Sequence, residues 1–130
     1  MPVRSLTSSV LTWPDRAAVD RDARAWAAGV AHGRPEVRRI GYFGSYARDD
    51  WGVGSDLDLI AIVSACDKPF EERAIDWPLE TLPVPADILI YTEGEWLVLL
   101  ARGGRFADVM GREVVWIWPA NSSGSALVNP

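Results

Sequence analysis

The stretch Gly44-Ser45-Tyr46-Ala47-Arg48-Asp49-Asp50-Trp51-Gly52-Val53-Gly54-Ser55-Asp56-Leu57-Asp58-Leu59 decides how this chain is read. A Gly-Ser turn is followed, after ten intervening residues, by an Asp-x-Asp pair that opens the apolar run Leu59-Ile60-Ala61-Ile62-Val63. The run is continuous and β-branched, the pattern of a central strand covered on both faces. Alternation along such a strand points Asp56 and Asp58 the same way, roughly 6.6 Å apart, with Leu57 and Leu59 on the other side. Two carboxylates this close repel, and burying them is unfavourable unless a cation offsets the charge. A divalent ion with few protein ligands, its other positions filled by water and phosphate, meets that need in the manner of Mg²⁺. An EF-hand calcium loop is the competing reading, but it requires more oxygen ligands and a glycine where apolar residues follow here.

Outward from this stretch, the chain alternates helical and strand-like segments. Thr12 or Asp15 can cap a helix over Arg16–Val30, with Pro14 in its first turn and Val19, Trp26 and Val30 on its apolar stripe. Gly33-Arg34-Pro35 ends it. Val37–Phe43 reads as a strand, Ser45–Asp50 as a short helix, residues 51–55 as a loop and Asp56–Val63 as the central strand. Pro69–Ala74 is a weak helix or turn, and Pro78, Pro83 and Pro85 keep the next segment irregular. Ala86–Tyr91 is a third strand. Glu93–Arg102 is a helix with Trp96, Leu97, Leu99 and Leu100 inward and Gly103-Gly104 as its stop. Glu113–Trp118 is a fourth strand, placed at an edge by Pro119. The expectation is one α/β (α+β) domain over 12–119 with a mixed sheet of about four strands and flanking helices. Residues 1–11 read as a flexible N-terminus and 120–130 as a disordered tail.

Asp87 is the candidate third carboxylate. It stands one residue into an otherwise apolar strand, repeating the situation of Asp56 and Asp58, and if this strand neighbours theirs the carboxylates would lie roughly 5 Å apart across the ladder. Asp87 would then ligate one of two metals and help deprotonate an attacking hydroxyl. Gly44 lets the backbone turn sharply and approach a ligand. If Ser45 opens a helix, its free N–H groups and hydroxyl face a phosphate. Arg48, one turn on, lies within reach of a triphosphate. Trp51 is placed to cover a base, His32 belongs to a helix end, and Cys66 and most of the seven tryptophans read as structural.

The 130 residues, 48% apolar, suffice for one hydrophobic core. A net charge of −5 argues against holding extended nucleic acid by phosphate neutralisation. The lone cysteine, the lack of an apolar leader and the lack of a bilayer-length run point to the cytoplasm, with no membrane association. No Gly-x-x-x-x-Gly-Lys-Ser/Thr sequence is present, which excludes a P-loop.

Gly-Ser, ten residues, Asp-x-Asp and a later strand Asp together resemble the DNA polymerase β-like nucleotidyltransferase superfamily. The likeness is greatest to its minimal single-domain members, the MNT-domain proteins, and runs from about Val37 to Trp118. Many of these are antitoxins paired with a HEPN-domain ribonuclease toxin, which they neutralise by transferring AMP to a toxin tyrosine. The resemblance implies Gly44 and Ser45 for triphosphate binding, Asp56 and Asp58 as ligands of two Mg²⁺ ions, and Asp87 as third ligand and base, with ATP as substrate. The family commonly carries Arg directly after the Ser, where this chain has Tyr46; Arg48 matches the second common Arg. The expected activity is AMP transfer to a hydroxyl presented by a HEPN toxin. Neutralisation by binding alone is one alternative. A stand-alone adenylyltransferase of a small molecule is another, in which a homo-oligomer would supply the missing wall of the site.

Overall fold

The structure, a computed structural model, describes residues 14–52 and 54–120. The expectations of a flexible N-terminus over 1–11, of a Thr12 cap and of disorder over 121–130 fall outside the described residues. Helix α1 (Arg16–Gly33) is capped by Asp15, whose carboxylate accepts the Ala18 amide at 2.9 Å. Its buried stripe of Val19, Ala23, Trp26, Ala27 and Val30 follows helical spacing and covers one face of the sheet. Then come β1 (Val37–Phe43), the four-residue α2 (Ser45–Arg48) and β2 (Leu57–Val63). Two one-turn 3₁₀ segments, Phe70–Glu72 and Leu79–Thr81, precede β3 (Ala86–Thr92), α3 (Glu93–Arg102), α4 (Arg105–Glu113) and β4 (Val115–Trp118).

The strands lie in the order β3-β2-β1-β4. β2 and β3 are parallel, whereas β1 pairs antiparallel with both β2 and β4. This is the expected four-stranded mixed sheet, with the aromatic β4 at an edge. The parallel pair needs a crossover, and its Trp77, Leu82 and Val84 bury themselves beside α1; the Trp26 indole donates to the Pro78 carbonyl at 2.9 Å. Leu57, Leu59, Ala61 and Val63 of β2 face this layer. Ile60 and Ile62 point the other way, into a second core with Trp96 of α3 and Met110 of α4. Asp58 has the parity of Ile60, so the carboxylate emerges on the α3–α4 side.

The helix α4 is absent from the sequence reading, which assigned no element to 105–112 and began the last strand at Glu113. It is amphipathic, with Ala107 and Met110 inward, but it has only nine residues and follows directly on Gly103-Gly104, which reads as the end of a helix. Gly103 and Gly104, both at positive φ, end α3 as expected and turn the chain into α4. Leu97 and Leu100 also differ from expectation. They are exposed, Leu97 to 65%, because α3 meets the sheet mainly through Trp96. β2 starts at Leu57, which leaves Asp56 one residue ahead of the ladder.

At Gly41 of β1 an added Cβ would lie 2.6 Å from Val114 and 2.9 Å from both the Trp116 ring and the Val115 carbonyl. The junction between α4 and β4 therefore seats directly on β1. Arg73, 8% exposed, ties the crossover to the sheet. It donates to the carbonyls of Lys68 (3.0 Å) and Ile90 (2.9 Å) and forks onto Glu95 at 2.6 and 3.0 Å.

The Arg73 guanidinium, with the Thr92 amide, holds the Glu95 carboxyl down at about 2, from an ordinary 4.5. A depressed carboxyl stabilises the fold above its unfolded value and loses that contribution as pH falls towards the folded one. Glu95→Gln is therefore expected to unfold at lower urea than wild type at pH 7, with the gap narrowing below pH 4.5. Arg73→Ala, which strands the Ile90 carbonyl and Glu95, is expected to lose about 2 kcal/mol in the same measurement.

Candidate active site

The β2–β3 register sets Asp58 directly opposite Asp87. Parallel neighbours stand about 4.8 Å apart, so the two carboxylates leave the sheet side by side. On the other flank, β1 places Phe43 opposite Asp58 and then breaks into the Gly44 turn. Gly44 has φ +79° and ψ −151°, a region essentially confined to glycine, and a Cβ there would run into the Asp58 carboxylate. The glycine thus brings the turn and the acid into contact.

Gly44, Ser45, Arg48, Asp56 and Asp58 line one cavity of about 540 Å³, closed on its far side by Phe106, Val109, Met110 and Glu113 of α4. Five of the six residues singled out from sequence meet there. Asp87 stands in register beside Asp58 without lining the cavity. Burial first, then the Asp87 and Asp56 charges, hold the Asp58 carboxyl above the ordinary carboxylate range; Arg48 pulls it down and Glu113 adds to the rise. At separations of about 5–7 Å and an effective dielectric near 20, like charges repel by about 2–3 kcal/mol.

Among the described residues no three His, Cys, Asp or Glu side chains converge as a closed metal-ligand set. Mg²⁺ does not require one, since it takes one or two carboxylates and completes its shell with water and phosphate oxygens. The crowded acids with Arg48 as nearby cation fit such a metal, with Asp56 and Asp58 to hold it and Asp87 adjacent.

The residue missed from sequence is Glu113. Its side chain is 14% exposed; Oε2 accepts the Gly44 amide at 2.7 Å, and the carboxylate lies 3.3–3.4 Å from Arg48 Nη1. A negative charge on the last residue of a helix opposes the dipole by about 0.3–1 kcal/mol. Charge-assisted hydrogen bonds of about 1.5–3 kcal/mol outweigh that. The signal was available: Glu113 precedes the apolar Val114-Val115-Trp116-Ile117, the same acid-before-strand context as Asp58 and Asp87.

Two other expectations resolve differently. α2 has only four residues, so the turn itself rather than a helix dipole presents its donors. Trp51 does not stand free to cover a base. Its ring stacks on Tyr46 with centroids 5.7 Å apart and planes within 7°, and Tyr46 is 1% exposed. The residue that replaces the family's arginine is thus a core residue, with its carbonyl held by Arg16 at 2.7 Å.

Residues 30–103, more than half of the chain, match the family model of the nucleotidyltransferase domain (NTP_transf_2), and the chain belongs to that family. No curated protein matches it in sequence. Among solved structures, a candidate nucleotidyltransferase from Sulfolobus solfataricus is similar with a TM-score of 0.59 and 18% identity, over 83% of this chain and 86% of that one. A toxin–antitoxin structure with AMP-PNP is similar with a TM-score of 0.50 and 14% identity, over 76% and 75%. At such identities the likeness is one of fold alone.

Gly44→Ala is expected to destabilise the protein by about 2–4 kcal/mol, because it combines a forbidden backbone conformation with a clash on Asp58. Chemical denaturation checks this, with Gly52→Ala, where a Cβ meets nothing within 4 Å, as the near-neutral control.

Proposed function

We propose that this nucleotidyltransferase-family protein transfers AMP from ATP to a hydroxyl of a partner protein. The observation that carries the reading is the Asp58–Asp87 register beside the Gly44 turn, with Asp56 and Arg48 in the same cleft. Bound Mg²⁺ would neutralise the phosphates and polarise the reacting phosphorus. Asp56 and Asp58 would hold it, and Gly44, Ser45 and Arg48 would orient the triphosphate. Asp87, outside the cavity but beside Asp58, would accept the proton of the incoming hydroxyl. The hydroxyl oxygen bonds to the α-phosphorus, the bond to the bridging β-oxygen breaks, and pyrophosphate leaves.

The cleft lined by Gly44, Ser45, Arg48, Asp56 and Asp58 opens at the surface of the described residues, which favours an acceptor presented by another protein. A tyrosine of a HEPN-type ribonuclease toxin suits this best, with the chain acting as its antitoxin in the cytoplasm. The toxin–antitoxin neighbour with AMP-PNP supports the reading. Among the described residues no helix is long and apolar enough to cross a membrane.

The purified protein, Mg²⁺, α-³²P-ATP and the protein encoded by the adjacent gene are expected to yield a labelled partner. Asp58→Ala is expected to lower transfer by at least about 10³-fold, and chelation of Mg²⁺ to abolish it. Absence of transfer, or transfer that persists in Asp56→Ala/Asp58→Ala, overturns the proposal. Neutralisation of the partner at full strength by a triple Asp56/Asp58/Asp87→Ala variant supports antitoxin action by binding alone.

A further inference from the structure

We propose that Glu113 is an internal occupant of the phosphate cradle, which the triphosphate must displace in order to bind. The proposal rests on the nucleotidyltransferase reading above and concerns what the cleft does without nucleotide. Glu113 takes two donors assigned to phosphate: the Gly44 amide at 2.7 Å and the Arg48 guanidinium at 3.3 Å. A backbone amide carries one proton and makes one strong hydrogen bond, so a phosphate oxygen and the Glu113 carboxylate cannot both hold it. Both are anionic oxygen groups that suit an amide and a guanidinium together.

The side chain is placed to leave. Glu113 is the last residue of α4 and lines the cleft with Val109, Phe106 and Met110, so rotation about its own bonds frees the cradle without unwinding the helix. Its charge opposes the α4 dipole, and it bonds to the two groups that phosphate would claim. Arg48 keeps a second acceptor, Asp50 at 3.0 Å, so it remains positioned while Glu113 moves away. Bound in the cradle, Glu113 keeps the Gly44 donor satisfied and gives α4 a fixed resting position.

Calorimetric titration of MgATP into wild type, Glu113→Gln, Glu113→Ala and Asp108→Asn tests this. Asp108→Asn removes an exposed negative charge from the same helix outside the cleft. Both Glu113 variants are expected to bind about tenfold more tightly than wild type, and Asp108→Asn within about twofold of it. The Gly44 amide proton resonance of nucleotide-free wild type should move on adding MgATP, whereas in Glu113→Ala it should start displaced. Glu113→Gln, nearly isosteric, keeps the test valid if Glu113→Ala unfolds. Equal or weaker binding by the Glu113 variants overturns the inference, and weakening seen with Mg²⁺ but not with ATP in EDTA makes Glu113 a metal-side group instead. If no variant binds MgATP, the nucleotidyltransferase reading itself fails and takes the inference with it.

Discussion

The parallel pairing of β2 with β3 forces like charges together. Its register leaves Asp58 and Asp87 no freedom to separate, since the same ladder aligns Leu59 with Ile88 and Ile60 with Leu89 in the core beneath them. A one-residue slip would relieve the repulsion but would turn every buried side chain of β2 to the wrong face. The apolar part of the strand therefore holds the charged part in place. Core burial, summed over both sheet faces, exceeds a few kcal/mol of carboxylate repulsion, and the fold carries an unsatisfied electrostatic demand that a cation can meet.

The two faces divide the work. On one, α1, the crossover and the inner side of β2 form a closed apolar layer fastened by the Trp26–Pro78 bond and the Tyr42–Asp20 pair, where the phenol donates at 2.7 Å. On the other, α3 and α4 cover the sheet through little more than Trp96 and Met110, and leave Leu97, Val98, Leu100 and Phe106 exposed. The cleft opens on this thinly covered side. A rigid back layer fixes the carboxylates, and a lightly attached front layer supplies the wall.

Most of this was legible in the sequence, and the exceptions have physical causes. β2 and α1 were clear because a continuous β-branched run and a 3.6-residue stripe are strong signals. The partnership of Asp58 and Asp87 was legible as a conditional, depending on which strands were neighbours. α4 was hidden because its nine residues, four of them charged, follow directly on Gly103-Gly104, which reads as the end of a helix. Losing α4 concealed Glu113, which was taken as the start of a strand. The outward turn of Leu97 and Leu100 was equally hidden: α3 is apolar almost all round, and only its contacts decide which side faces in. Tyr46 shows the converse case, where a departure from the family pattern is explained by burial against Trp51 rather than by a new surface role.

The crowding at Gly41 sets a clock. Val114, Trp116 and the Val115 carbonyl approach that glycine so closely that the end of α4 cannot slide or tilt towards the sheet. Whatever moves at the mouth of the cleft is then a side chain turning on a stationary helix. Rotamer exchange takes picoseconds to nanoseconds, whereas helix shifts and hinge motions take microseconds to milliseconds. A turn of the Glu113 side chain at the mouth of the cleft belongs to the faster class.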